Sequence, residues 1–395
     1  MNSKPKVSFK QRIIMRVKNS RILYSTYYYL GSFFISLLRI FVKPDDKLIL
    51  FISYGGKRYD DSPKEISEAM LRDSRFHTYK LCWAFIDPTK HDIDSRIKKI
   101  KVDSIDYYMN AIKARVWITN VGVERALKFK GKNTLYLNTW HGTPIKKIGN
   151  DVKDSSSTFS SKYESRYDYF CIQGEYDRKI YSRAFNISED NMILTGLPRN
   201  DVLINYDKKL IDNLKRKLDL PLDKKIILYA PTFREFNNYQ FQTPIHWNKW
   251  KNNLSDEYLI ILRAHHATVG SMNIEGMKNF IYDFSLYSNL NDLMMISDIL
   301  ISDYSSIFFD YSILAKPMFC FAYDYEDYSS KRGLYFDIRN EIPGGFSSED
   351  ELITKIVKMD YESAKKSTED FRHKYVEAYG EATRKVVDLV YSNIK

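Results

Sequence analysis

The chain has 395 residues, 44% of them hydrophobic and 28% charged. That composition excludes a disordered or fibrous chain, and the length exceeds what one core usually fills, so two α/β lobes are expected. The net charge of +11 is local: nine lysines and arginines and no aspartate or glutamate stand between Met1 and Lys43. A nucleic-acid binder would spread its basic stripe over the folded domains, so no nucleic acid is expected as a partner. The three cysteines, Cys82, Cys171 and Cys320, lie far apart within apolar runs. That is neither a zinc pattern nor a disulfide framework, and it suits reduced core residues in a cytoplasmic protein.

Residues 1–42 come first. Val7, Phe9, Ile13, Ile14 and Val17 alternate with basic residues, and an uncharged run then extends from Ile22 to Leu38 with four tyrosines and Gly31. The run is at the short end for a spanning helix and lacks a signal-peptide cleavage pattern. An interfacial helix with a cationic arm on an anionic membrane surface fits it better. The alternative is a helix packed on the first lobe with a solvated basic face.

From Lys47 onward, short apolar runs alternate with helical patterns: KLILFIS, YKLCWAF, RVWITN, NTLYLNTW, YDYFCIQ and NMILTG, then IILYAPTF, YLIILRAHH, NFIYDF, DILISDYSS and PMFCFAYD. Such alternation predicts βαβ units and parallel sheets. A charged helical stretch between Asp201 and Pro221 marks the linker. It divides the chain into an N-terminal lobe at 43–205 and a C-terminal lobe at 206–370, followed by a C-terminal helix at 371–395. Neither GxGxxG nor GxxxxGK[ST] occurs, so the dinucleotide fingerprint and the P-loop are absent. The DID triplet at Asp92 to Asp94 satisfies a short metal–nucleotide pattern. It opens a charged stretch expected to be helical and is not taken as a site.

In open parallel sheets, ligands sit beyond the carboxyl ends of the strands. Those ends carry YGGKRYDDSPKE, HGTPIKK, GLPRND, PTFRE, AHH and SDYSSIFFDY. Glycine, hydroxyl, basic and histidine residues collect there while carboxylates are few, which is the inventory of a phosphate site. Ser305 and Ser306 precede a helical run, where free backbone N–H groups favour an anion. Arg263 and His265 follow one strand and His141 another. A histidine of near-neutral pKa can take a proton from an attacking hydroxyl, and a protonated one can hold a phosphate oxygen. Arg199 and Arg234 are phosphate contacts or solvated loop arginines.

Taken together, NTWHGTPIKKIGND, TGLPRND, LYAPTFRE, LRAHH, ISDYSSIFFDY, KPMFCFAYDYEDY and RGLYFD, in this order, resemble the CDP-glycerol glycerophosphotransferase family of teichoic acid primases and polymerases. The resemblance runs from about Lys47 to the C-terminus. It implies a GT-B architecture, two Rossmann-like lobes facing a cleft, with CDP-glycerol held mainly by the C-terminal lobe. It also implies that His141 is the general base of the HGTP motif, with Gly142 and Thr143 on the substrate side. His265 would be the second essential histidine near the donor pyrophosphate, next to His266 where many relatives have proline or tyrosine. Ser305 and Ser306 match the donor-binding DYSS motif, Asp310 the acidic residue after it, and Arg332 the RG[LF]Y motif without an assigned role.

The expected reaction moves glycerol phosphate from CDP-glycerol to a hydroxyl of a lipid-linked glycan or polyol-phosphate acceptor, in teichoic acid or capsule-type polymer synthesis, and releases CMP. It would run at the cytoplasmic face of the membrane with no tightly bound cofactor, although a loosely bound Mg²⁺ on the pyrophosphate is compatible with it. The rival readings are a CDP-ribitol transferase, a GT-B glycosyltransferase using a nucleotide sugar, and a non-catalytic glycan-binding scaffold.

Overall fold

The computed structural model describes residues 16–17, 20–152, 166–234, 245–264 and 274–395. The apolar runs form two parallel sheets. The first contains β1 (Asp45–Ile52), β2 (Lys80–Phe85), β3 (Lys98–Lys101), β4 (Ala114–Thr119), β5 (Leu135–Asn138), β6 (Tyr169–Ile172) and β7 (Met192–Leu194) in the order β3-β2-β1-β4-β5-β6-β7. The second contains β8 (Lys225–Ala230), β9 (Tyr258–Leu262), β10 (Ile281–Asp283), β11 (Ile299–Ser302) and β12 (Met318–Cys320) in the order β10-β9-β8-β11-β12. Both orders reverse after the first strand of the sheet, as in a Rossmann fold. This is the two-lobed GT-B architecture expected.

Burial explains why the strands read as continuous apolar runs. Leu48, Leu50 and Ile52 of β1 pack into one core with Trp117 and Tyr136, while Ile49 and Phe51 point to the opposite face and pack with Trp83, Val116 and Ile118. In the second lobe, Ile226 and Leu228 face one core and Ile227 and Tyr229 the other. Sheets covered on both faces leave no polar side to alternate with. The three cysteines are free and buried.

Two boundaries differ from expectation. The charged stretch after Asp92 is not a helix. Asp94 accepts from the backbone and side chain of Arg96, and Lys98–Lys101 then forms edge strand β3, whose one buried residue is Ile100. A strand with a single inward side chain leaves almost no periodic signal. Residue 371 also falls inside a helix, Tyr361–Tyr375, and a separate helix, Ala382–Ile394, follows after a break. This last helix returns to the first lobe, burying Val386, Val387, Val390 and Ile394 against Ile66, Met70 and Trp83. Asp201 caps it from outside, accepting from the N–H groups of Ala382 and Thr383 at 2.9 and 2.7 Å.

The helix Arg21–Leu38 lies on the first lobe. Gly31 permits close approach to Leu127, Tyr27 donates to the Arg125 carbonyl at 3.0 Å, and Ser32 accepts from Lys128 N–H at 2.7 Å. Its other side leaves Ile22, Leu30, Phe33 and Phe34 exposed, and Phe41 just beyond it is 81% exposed. Among the described residues no helix is long and apolar enough to cross a membrane.

Candidate active site

His141 stands at the carboxyl edge of the first sheet, just past β5, where the chain turns sharply. Trp140 takes a positive φ of 51° and its N–H is held by Asn138 Oδ1 at 2.7 Å. Trp140 stacks on the His141 ring with centroids 4.1 Å apart. His141 Nδ1 lies 2.8 Å from the carbonyl oxygen of Asn120, which follows β4. A carbonyl only accepts, so Nδ1 carries the proton and Nε2 keeps its lone pair. Burial pushes the His141 pKa down, against the Asn120 hydrogen bond and the Asp61 carboxylate that favour the charged form, and Arg199 adds to the lowering. A neutral imidazole with a fixed tautomer is poised to accept a proton.

Asp61 was not singled out from the sequence, yet it organises this end of the cleft. It begins the helix Asp61–Arg72 with a positive φ of 64° and is buried. Its carboxylate accepts from Tyr54 Oη at 2.5 Å, Ser62 N–H at 2.6 Å and Arg199 Nη1 at 2.9 Å. Burial would raise the Asp61 pKa, but Arg199, Tyr54 and the Ser62 N–H outweigh it and hold the carboxyl below its ordinary range. The Tyr54 ring lies 5.8 Å from the His141 ring. The YGGKRYDDSPKE loop is marked in the sequence as a strand end, but which of its acids turns inward depends on tertiary packing.

Arg199 joins the lobes. Its Nη2 donates to Asp310 Oδ2 in the second lobe at 2.8 Å while Nη1 holds Asp61. Asn200 Nδ2 reaches Asp310 Oδ1 at 2.6 Å, and Asn291 Nδ2 donates to the Arg199 carbonyl at 2.5 Å. Expected at a phosphate or in solvent, Arg199 is instead the counterion of two buried carboxylates, and Asp310 faces inward to meet it. Arg234 is likewise enclosed: its side chain is 4% exposed, paired with Asp303 at 2.8 Å and Asp324 at 2.7 Å, with the rings of Tyr304, Tyr323 and Tyr328 around it.

Gly142 and Ser306 bring the HGTP and DYSS motifs together. A Cβ on Gly142, whose φ is 138°, would lie 2.9 Å from Ser306 Oγ and 3.4 Å from Arg199 Nη2. Ser305 Oγ accepts from Ile307 N–H at 3.3 Å, whereas Ser306 at the N-cap position makes no side-chain cap bond. The helix that follows, Ile307–Ser312, has only six residues. Thr143 points into the first lobe, where its hydroxyl accepts from Gln173 Nε2 at 2.9 Å. Arg332 donates to the Lys147 carbonyl at 2.7 Å, beside an antiparallel bridge between Lys146 and Leu334, so the RGLY segment clips the second lobe onto the HGTPIKK segment. Arg263 donates to the Phe284 and Ser285 carbonyls. Burial and the nearby Arg58 of the first lobe lower its pKa, partly opposed by Asp60 and Asp283. His265 and His266 lie outside the described residues. Among the described residues no group of three or more histidine, cysteine or acidic side chains could hold a metal.

Two parallel-sheet lobes meeting at their carboxyl edges, with a fixed-tautomer histidine on one side and a hydroxyl pair on the other, define a GT-B type fold with its site between the lobes. Comparison narrows this. Residues 34–392 match the family model described as CDP-Glycerol:Poly(glycerophosphate) glycerophosphotransferase, and the chain belongs to that family.

Among curated relatives, it is 36% identical over 379 residues to the teichoic acid poly(glycerol phosphate) polymerase of Staphylococcus epidermidis, covering 90% of this chain and 51% of that one. It is 34% identical to the teichoic acid glycerol-phosphate transferase of Staphylococcus aureus, covering 76% of this chain and 80% of that one. The chain thus spans about half the length of the first and four fifths of the second. Among solved structures, the wall teichoic acid polymerase TagF superposes with a TM-score of 0.83 at 32% identity, over 98% of this chain and 96% of that one. A histidine-to-asparagine variant of it soaked with CDPG gives the same score.

Proposed function

We propose that the protein transfers glycerol phosphate from CDP-glycerol to a hydroxyl of a lipid-linked glycan or polyol-phosphate acceptor in teichoic acid synthesis. The observation that carries this reading is His141 Nδ1 donating to the Asn120 carbonyl, which leaves the Nε2 lone pair to act as the base. The acceptor oxygen attacks the phosphorus that bears glycerol, a new P–O bond forms, the P–O bond to CMP breaks, and the hydroxyl proton passes to Nε2. Phosphoryl transfer of this kind demands positioning and electrostatics rather than covalent help from the protein. Family membership and the CDPG-soaked TagF variant support the donor. Ser306, at the C-lobe side of the junction, would meet the donor phosphates, a role supported by its approach to Gly142, and the same role for His265 rests on the sequence resemblance.

Asp61 and Asp310 are already engaged by Arg199. A Mg²⁺ would therefore find its ligands mainly on the donor's own phosphate oxygens. The exposed apolar side of the helix Arg21–Leu38, next to the basic N-terminal segment, suits attachment to an anionic membrane surface on the cytoplasmic side, where a lipid-linked acceptor would be held.

The test is CMP release from CDP-glycerol, with CDP-ribitol in parallel, by the wild type and His141→Ala in the presence of a lipid-linked acceptor analogue. Turnover of CDP-glycerol by the wild type, lost in a variant that still binds the donor, is the expected result. Equal activity in the variant overturns the role of His141. Faster release from CDP-ribitol reassigns the polyol, and release from neither donor leads to a panel of nucleotide sugars.

A further inference from the structure

The charges behind His141 do not balance while the imidazole is neutral. Asp61 and Asp310 share the single guanidinium of Arg199 at 2.9 and 2.8 Å, all three side chains being at most 14% exposed. Two carboxylates and one cation leave a buried excess of one negative charge. A single proton on His141 would cancel it. On the Asp61 side, Tyr54, Ser62 N–H and Arg199 fix the carboxylate in one orientation, and the Tyr54 ring lies beside the imidazole. The left-handed backbone at Asp61 is one that a side-chain-bearing residue adopts only when its surroundings impose it, and such strain gathers at functional sites.

We propose that Asp61, held by Tyr54 and Arg199, is a positioning residue whose carboxylate supplies the negative charge against which the His141 imidazolium forms as the acceptor hydroxyl loses its proton. This rests on the reading of His141 as the base. In this role Asp61 acts through the histidine rather than on the reacting atoms. The charged groups that act on the imidazole are Asp61, which favours the proton, and Arg199, which opposes it, while the Asn120 carbonyl fixes Nδ1. Arg199 is shared between two carboxylates.

The experiment compares the wild-type chain, Asp61→Asn and Tyr54→Phe. One measurement is the pH dependence of kcat/KM for CDP-glycerol with the lipid-linked acceptor analogue. The other is the titration of His141 in ring-¹³C-labelled protein, assigned by its loss in His141→Ala. Asp61→Asn removes the favourable charge, so both the ascending limb and the titration move to lower pH by roughly one unit, and kcat at the plateau falls roughly 10²-fold. Tyr54→Phe deletes one oxygen and leaves the carboxylate less shielded, so both move upward by a few tenths of a unit.

A merely structural network would lower kcat or raise KM with the limb and the titration unmoved in both variants, and that result overturns the proposal. Should Asp61→Asn not fold, Tyr54→Phe alone decides it by the sign of its shift. The titration needs no turnover, so it separates failure of this inference from failure of the proposed reaction: a wild type that transfers nothing from CDP-glycerol can still show the two opposite shifts.

Discussion

Gly142 on the turn after β5 and Ser306 at the start of the second lobe's short helix approach so closely that a methyl group on Gly142 would sit 2.9 Å from the serine hydroxyl. The relationship joins the two best-marked sequence motifs and sets the separation of the lobes at the site. Gly142→Ala must both leave a φ of 138° and displace Ser306. It should cost about 1–3 kcal/mol of stability and reduce kcat/KM by at least about tenfold, since each 1.4 kcal/mol of lost transition-state stabilisation is a factor of ten. Thermal melting and CMP release measure the two effects.

His141 is partly buried, and that desolvation lowers its pKa. A base whose pKa is lowered stays neutral to more acid pH, so activity is lost only as pH falls through that lowered value. The ascending limb of kcat/KM should therefore have its midpoint below the ordinary histidine value of about 6.5. A midpoint at or above that value would show that the imidazole is better solvated or more strongly paired than this structure has it.

Asp177 offers a stability test. Its Oδ2 accepts from Gln173 N–H at 2.8 Å, and Oδ1 is buried without a hydrogen-bond partner. Burial pushes its pKa up to about 7. The folded state then holds this proton more tightly than the unfolded chain, whose aspartate titrates near about 3.9. Stability from this group is present below that value and is lost as pH rises to about 7. Asp177→Asn keeps an acceptor for Gln173 and removes the titration, so its melting temperature should fall less than the wild type's between pH 5 and pH 8.

Arg234 should behave as a fold residue. Replacing it with methionine leaves Asp303 and Asp324 facing each other without their cation, and breaking a buried pair in this way typically costs about 3–5 kcal/mol. Urea denaturation should register that loss. A variant that melts normally yet fails to bind CDP-glycerol would return the arginine to the phosphate role expected from the sequence.

The exposed side of the N-terminal helix can be tested without disturbing its docked side. Changing Phe33, Phe34 and Phe41 together to aspartate leaves Tyr27, Gly31 and Ile35 in place. It should abolish flotation with vesicles containing anionic lipid while leaving donor binding intact. Undiminished flotation would place the attachment elsewhere.

The sheet was legible because its strands are buried on both faces and spell out long apolar runs. β3 was not, since three of its four residues are lysines. The motif histidine was legible too, because it stands alone between a strand and a Gly-Thr-Pro turn. What the sequence hid was the pairing of charges. Arg199 and Arg234 look alike in a loop, as arginines fit for phosphate or water, and only three-dimensional packing shows that each is met by two carboxylates. Asp61 was hidden for the same reason. Asp60 and Asp61 are adjacent and chemically identical, and the left-handed turn that buries Asp61's carboxylate against Arg199 has no mark of its own in the sequence.

The helix Ala382–Ile394 also sets an order of events during synthesis. The sheet that carries His141 is complete by Leu194, but Ile49, Trp83 and Val116 lie on the face that Val386, Val387 and Val390 help to close. That cover exists only once the whole second lobe has been translated, an interval on the order of ten seconds or more at about 5–20 residues per second. The nascent first lobe must wait through it with part of that apolar face still uncovered.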